Sequence, residues 1–200
     1  MAAGLHALGL VLAVTAMQPG TVLATPQART AWLAARPPGW TAGWAVWILC
    51  ALALVALLGA LAQRLEAERA WAATAVALAA AGAAVDVFCD AVWITVIPEL
   101  AAQGPDRVFL AAERALSVGG NVAANGLYSA AVLVMVHLLP PGPAWRAQRL
   151  LGWLTVAGGF GLCAATLAGG SYAVALFAGM TMAAFIGWAL ALARADFPAV

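Results

Sequence analysis

Long apolar stretches, separated by short polar or Pro/Gly-containing segments, run through the chain from end to end. A helix needs about 20 mostly apolar residues to cross a bilayer, and the pattern predicts six such segments. The first runs from Ala2 to Leu23 and is interrupted by Gln18-Pro19-Gly20. The second runs from Trp40 to Leu61, and the third from Ala70 to Ile97, closed by Pro98. The fourth covers Leu116 to Leu139 and stops at Pro140-Pro141, the fifth Leu150 to Ala168, and the sixth Tyr172 to Ala193. Runs of ten alternating polar and apolar residues, the mark of a membrane β-barrel, do not occur. The predicted fold is therefore all-α: a polytopic integral membrane helical bundle of about six transmembrane helices, with residues 1–200 as a single transmembrane domain.

The first segment has a rival reading. Ala3 to Ala16 has the character of a secretory h-region, and Val22-Leu23-Ala24 that of a small-residue cleavage site. Its n-region carries no Arg or Lys, only His6, which favours a retained helix.

Composition sharpens this picture. The chain has 200 residues, 66% hydrophobic and 8% charged, where soluble proteins average about 25% charged. Nine Lys+Arg face eight Asp+Glu, and all nine basic residues are Arg. These proportions exclude a soluble domain, a disordered chain, a disulfide-built secreted domain and a basic nucleic-acid binder. The Ala- and Arg-rich, Lys-free composition suggests a GC-rich bacterial genome, and hence a bacterial inner membrane. Arg64, Arg69, Arg146, Arg149 and Arg194 fall on the side of the N-terminus, and Arg29, Arg36, Arg107 and Arg114 on the other. This bias places both termini in the cytoplasm by the positive-inside rule. The segments Thr25–Gly39 and Glu99–Ala115 are then the long outer loops. Trp32, Trp40, Trp44, Trp47 and Trp93 fall toward the outer interface, and Trp71, Trp145 and Trp153 toward the inner one, as an aromatic belt would. Trp188 falls within the sixth span as a packing residue.

Between the second and third spans, Gln63–Ala70 reads as a solvated charged turn, with Arg64–Glu68 and Glu66–Arg69 at helical pair spacing. Gly169-Gly170-Ser171 makes the fifth and sixth spans antiparallel neighbours, with Ser171 as a candidate N-cap. No internal repeat supports the inverted-repeat plan of secondary transporters.

Polar residues inside the spans are the candidate chemistry, because an ionisable side chain in hydrocarbon is costly and faces the bundle interior. On the third span Asp86 and Asp90 stand one turn apart on one face, a stripe that Trp93 and Ile97 extend. On the fourth, Glu113, Ser117, Asn121 and Asn125 recur every four residues, and Tyr128 continues the row. At about 1.5 Å per residue, Asp90 lies about 12 Å below Pro98 and Asp86 about 18 Å. Asn121 and Asn125 lie at about the same two depths below Glu113. Two carboxylates and two carboxamides are thus expected to meet, with Asn NH₂ groups as donors. Glu113 and Ser117 would line the entrance, with Glu99, Arg107 and Arg114 nearby. Gly119-Gly120 allows either close packing or a break in the fourth helix, which as one rod from Asp106 to Leu138 would be about 50 Å long.

Three functions fit this pattern. One is small-ligand binding, or proton or cation binding or transport, at a pocket of Asp86, Asp90, Asn121, Asn125, Tyr128, Glu113 and Ser117. The second is a non-catalytic accessory or scaffold subunit that forms homo- or hetero-oligomers through the Gly/Ala-rich fifth and sixth spans (Gly152, Gly158, Gly159, Gly161). The third is a membrane redox subunit with a b-type haem on His6 and His137. Both His fall on the side opposite the two Asp, so no shared metal is expected, and Ser117 and Ser129 lack a His for a triad. Cys50, Cys89 and Cys163 sit in three spans without CxxC spacing and read as inert thiols. The chain has no phosphate-binding loop, nucleotide fingerprint or zinc motif, and an enzyme is the less favoured reading.

Overall fold

The computed structural model describes residues 1–20, 23–65 and 68–195, and it is built from helices. Val22 of the cleavage-like tripeptide and Glu66 of the Glu66–Arg69 pair lie outside the described residues. In chain order the helices are α1 (Ala2–Val14), α2 (Pro26–Ala34), α3 (Pro38–Ala62), α4 (Arg69–Thr95), α5 (Ile97–Ala101) and α6 (Arg107–Ser117). A π-helix (Val118–Ala124) leads into α7 (Asn125–Leu138). A 3₁₀ turn (Pro143–Trp145) then precedes α8 (Arg146–Ala168) and α9 (Ser171–Ala193).

Among the described residues, five helical stretches are long and apolar enough to cross a membrane: Pro38–Ala62, Arg69–Ala101, Arg107–Leu138, Pro143–Ala168 and Ser171–Ala193. The chain is thus an all-helical bundle of membrane-spanning character. The first apolar segment differs from the spanning helix its sequence suggests. α1 has 13 residues, about 20 Å at about 1.5 Å per residue, against a hydrocarbon core of about 30 Å. The helix ends at Val14, ahead of Gln18-Pro19-Gly20, where proline has no N–H to continue the ladder. α1 still docks on α3 and α9, with His6 against the rings of Trp47 and Phe185.

The other boundaries follow from local chemistry. Thr25 caps α2 by accepting from the Ala28 N–H at 3.2 Å, and Pro26 occupies its first turn, where the missing N–H costs nothing. The expected outer loop Thr25–Gly39 therefore contains a helix. α4 ends at Thr95, and α5 carries the chain past Pro98 instead of stopping there. Asp106 caps α6 through the Phe109 N–H at 2.8 Å, so the fourth membrane segment begins well before Leu116. At the α8–α9 turn Gly169 is left-handed (φ 78°), and its N–H bonds back to Thr166, a C-cap that favours glycine. Gly170, not Ser171, occupies the N-cap position of α9.

Packing separates into two apolar layers. One gathers Leu54, Leu58, Ala75, Ala79, Val132, Met135, Phe185 and Trp188, near the end of the bundle that carries the α3–α4 and α7–α8 turns. The other gathers Met17, Leu33, Trp40, Cys89, Trp93, Ile97, Phe109 and Leu116, beneath the cap formed by α2, α5 and α6. On α4 the first layer reaches Ala79 and the second begins at Cys89. Asp86 falls in the gap between them.

Candidate functional site

The four-residue interval that puts Asp86 and Asp90 on one face of α4 also puts Gly82 on it, one turn earlier. That face meets the π-helix and the start of α7 at glycine-limited distance. A Cβ added at Gly82 would lie 2.9 Å from the Tyr128 ring and 3.0 Å from the Ala124 carbonyl oxygen. One added at Gly119 would lie 2.6 Å from Cys89 Sγ, and one at Gly120 3.7 Å from Asp86 Oδ1. Gly119 of the π-helix thus faces Cys89, and Gly120 faces Asp86.

Within this contact the Tyr128 hydroxyl donates to Asp86 Oδ2 at 3.2 Å. Asp90 is 3% exposed, and its Oδ2 receives no hydrogen bond from any described residue. No ion pair to Asp86 or Asp90 forms among the described residues. An unpaired carboxylate oxygen away from water is costly, so this site favours a donor or a positive charge. Cys50, on α3, stands within the electrostatic field of both carboxylates.

The Asn125 and Glu113 side chains of the polar row bond elsewhere. Asn125 donates through Nδ2 to the Gly159 carbonyl on α8 at 2.8 Å, and its own carbonyl accepts from Ser129 Oγ at 2.8 Å. The Asn121 carbonyl accepts from the Cys163 thiol at 3.3 Å, again from α8. Of the polar row it is therefore Tyr128 that reaches the Asp pair by a hydrogen bond. Asn125 and Tyr128 both lie in α7, where a step of three residues turns about 60° around the helix, so one side chain reaches α8 and the other α4. Ser117 sits half-buried at the residue before the π-helix.

Glu113 is occupied by Arg29 of α2. The guanidinium donates from Nε to Oε1 at 2.9 Å and from Nη2 to Oε2 at 2.5 Å, while Nη1 donates to the Ala24 carbonyl at 2.6 Å. Both partners are buried. A second, exposed pair joins Arg36 to Glu99 of α5. Arg114 donates to the Thr166 and Leu167 carbonyls at 2.6 and 3.1 Å, so it serves the C-terminus of α8. Of the two basic side chains expected near a pocket mouth, Arg114 is thus engaged in holding α8, and Arg107 is exposed.

Four of the tryptophans pack on one another, while Trp71 and Trp153 stay exposed as a belt would have them. Trp40, 2% exposed, contacts Trp32, Trp44 and Trp93 edge-on at centroid distances of 5.8, 5.4 and 5.7 Å. Trp44 and Trp93 stack nearly parallel at 5.3 Å, and the Trp40 indole donates to the Trp93 carbonyl at 2.9 Å. Aromatic rings gain from such edge-on and offset contacts beyond the area they bury. Here they close the cap side of the site, one turn above Asp90.

His6 and His137 each bond the carbonyl one turn back, Ala2 and Leu133, both at 2.9 Å. His6 packs on Phe185 and Trp47, His137 on Trp153. Gly152 faces Val136 and Trp188, Gly158 faces Thr181, Gly159 faces Ser129, and Gly161 faces Phe177. The smooth α8 surface thus serves close packing on α7 and α9 within the chain. Among the described residues no three His, Cys, Asp or Glu side chains converge as metal ligands.

The contributions of Arg29, Cys50 and the stacked Trp44–Trp93 pair are not readable from the sequence pattern. Arg29 meets Glu113 across 84 positions, and no spacing rule operates at that range. Comparison with protein-family models, curated proteins and solved structures finds no match to this chain.

Proposed function

We propose that the chain is a multi-pass protein of a bacterial inner membrane, a single transmembrane domain with both termini cytoplasmic. Its functional centre is the contact of α4 with the π-helix and α7, where it binds or transports a small ligand, a proton or a cation. Asp86 and Asp90 are the responsive groups, and Tyr128 orients Asp86. Asn125 holds the start of α7 against α8 through its side chain, Asn121 holds the π-helix there through its main-chain carbonyl, and Glu113 and Ser117 belong to the region that closes the site toward the cap.

One observation carries this reading. Asp90 is buried in an apolar helix contact without a cationic partner, and one of its oxygens accepts nothing from the described residues. Intramembrane carboxylates are costly and concentrate along ligand, ion and proton paths. Asp86 lies between the two apolar layers, and Asp90 lies at the edge of the cap-side one, next to Cys89.

The test is thermal unfolding in detergent across a pH series and a cation panel, comparing wild type with Asp86→Asn/Asp90→Asn. The wild-type midpoint shifts with pH or with a cation, and the double variant loses that shift. If no condition separates the two proteins, the carboxylates are structural and the reading fails.

A further inference from the structure

We propose that the occupant of the Asp86–Asp90 pair is a proton, shared between the two carboxyl groups, rather than a metal ion or an organic cation. This rests on the proposed function and names the ligand class of the same site.

Three features of the contact lead there. The first is the unpartnered oxygen. Asp90 is 3% exposed, and its Oδ2 is an acceptor without a donor. An ionised carboxylate has acceptors only, whereas a protonated carboxyl group is a donor as well. One proton therefore supplies the missing donor within the pair.

The second is charge. Asp86 and Asp90 are one turn apart on one face of α4, and two carboxylates in a shared apolar site repel. A proton removes one of the two negative charges without bringing in a counter-ion. The titratable neighbours of the pair are Tyr128 of α7, which donates to Asp86, Cys50 of α3, and Cys89 of α4 itself, whose thiol faces Gly119. The π-helix contributes no titratable side chain, and Glu113 of α6 is already paired with Arg29.

The third is room and ligand number. The glycines of the contact, Gly82, Gly119 and Gly120, bring the π-helix and α7 to within a methyl group of α4. A calcium ion takes about six to eight oxygens, and magnesium requires a near-octahedral shell. Here the oxygen-bearing side chains at the contact are two carboxylates and one hydroxyl, and that hydroxyl already donates to Asp86. A bulky organic cation needs still more space. A proton needs neither a ligand shell nor a cavity.

The experiment is infrared spectroscopy of the protein reconstituted in phospholipid bilayers, titrated with pH in light and heavy water. Wild type, Asp86→Asn, Asp90→Asn and Tyr128→Phe are compared. The wild type shows a protonated-carboxyl C=O band that shifts in heavy water and is lost on alkaline titration. Either Asn substitution removes or displaces that band, and Tyr128→Phe, which keeps both carboxyl groups, moves it. Sodium, potassium or tetraphenylphosphonium at constant pH leaves it unchanged.

A wild-type spectrum with no band that these substitutions alter overturns the proposal, since both carboxylates are then ionised. A band removed by one of the three cations at constant pH also overturns it, while the broader reading of a cation-responsive site survives. If the band behaves as expected but the thermal-unfolding test shows no response, the shared proton stands and the functional reading fails. If an Asn variant does not fold, Tyr128→Phe decides, because a band it leaves unmoved does not belong to this pair.

Discussion

Breaking the Arg29–Glu113 pair tests most directly how the cap is held on the bundle. The two side chains are 9% and 12% exposed and meet through two hydrogen bonds, at 2.5 and 2.9 Å. Removing one partner of a buried pair leaves an uncompensated charge and costs about 3–5 kcal/mol. Arg29→Met also strips the Ala24 carbonyl of its donor, so its cost falls within that range, a change of more than about a hundredfold in the folding equilibrium at about 1.4 kcal/mol per tenfold. Replacing both partners by apolar groups, in Arg29→Met/Glu113→Leu, removes the stranded charge and restores stability to within about 1 kcal/mol of wild type. The Arg36–Glu99 pair is the internal control. Its side chains are 62% and 60% exposed, so solvent screens them and Arg36→Met costs less than about 1 kcal/mol. The assay is equilibrium unfolding in mixed detergent micelles with increasing sodium dodecyl sulfate, read by tryptophan fluorescence, for the single and double variants as a cycle. If Arg29→Met costs no more than Arg36→Met, or the losses at Arg29 and Glu113 simply add, the pair does not hold the cap.

Two further outcomes probe the packing around the carboxylates. Gly119→Ala, whose new Cβ would stand 2.6 Å from Cys89 Sγ, costs about 1–3 kcal/mol by overpacking and is relieved by adding Cys89→Ala, whereas Gly120→Ala, at 3.7 Å from Asp86, stays near wild type in the same unfolding assay. Trp40→Phe loses the indole donation to the Trp93 carbonyl and with it about 1–3 kcal/mol, whereas Trp44→Phe, which removes an indole N–H without a partner among the described residues, is the milder of the two by thermal unfolding.

Much of the architecture was legible because hydrophobic length is a local property. About 20 apolar residues in a row can be counted without knowing any neighbour, and α3, α4, α7, α8 and α9 all fall within such runs. The single face shared by Asp86 and Asp90 was legible for the same reason, since helical spacing within one element decides it. α1 shows the limit: its composition is apolar enough for a span, but its length depends on where the helix breaks before Pro19.

Everything that depends on which helix faces which was decided by tertiary structure. The row Glu113, Ser117, Asn121, Asn125 and Tyr128 is regular in sequence. Yet the structure sends Glu113 to Arg29, Asn125 to Gly159 and Tyr128 to Asp86. Asn125 and Tyr128 stand three residues apart in α7, about 60° around the helix, and which neighbour lies at each angle is set by the packing of α4 and α8. The tryptophans make the same point. Their depth was readable as an interfacial belt, but whether a ring faces lipid or another ring depends on packing, and Trp40, Trp44 and Trp93 turned toward each other. The sequence by itself thus determined where five of the long helices lie and which α4 face carries charge, because both follow from the pattern inside one element. Only the folded chain decided what that charge meets, because a partner 84 positions away, such as Glu113 for Arg29, is chosen by the packing of whole helices.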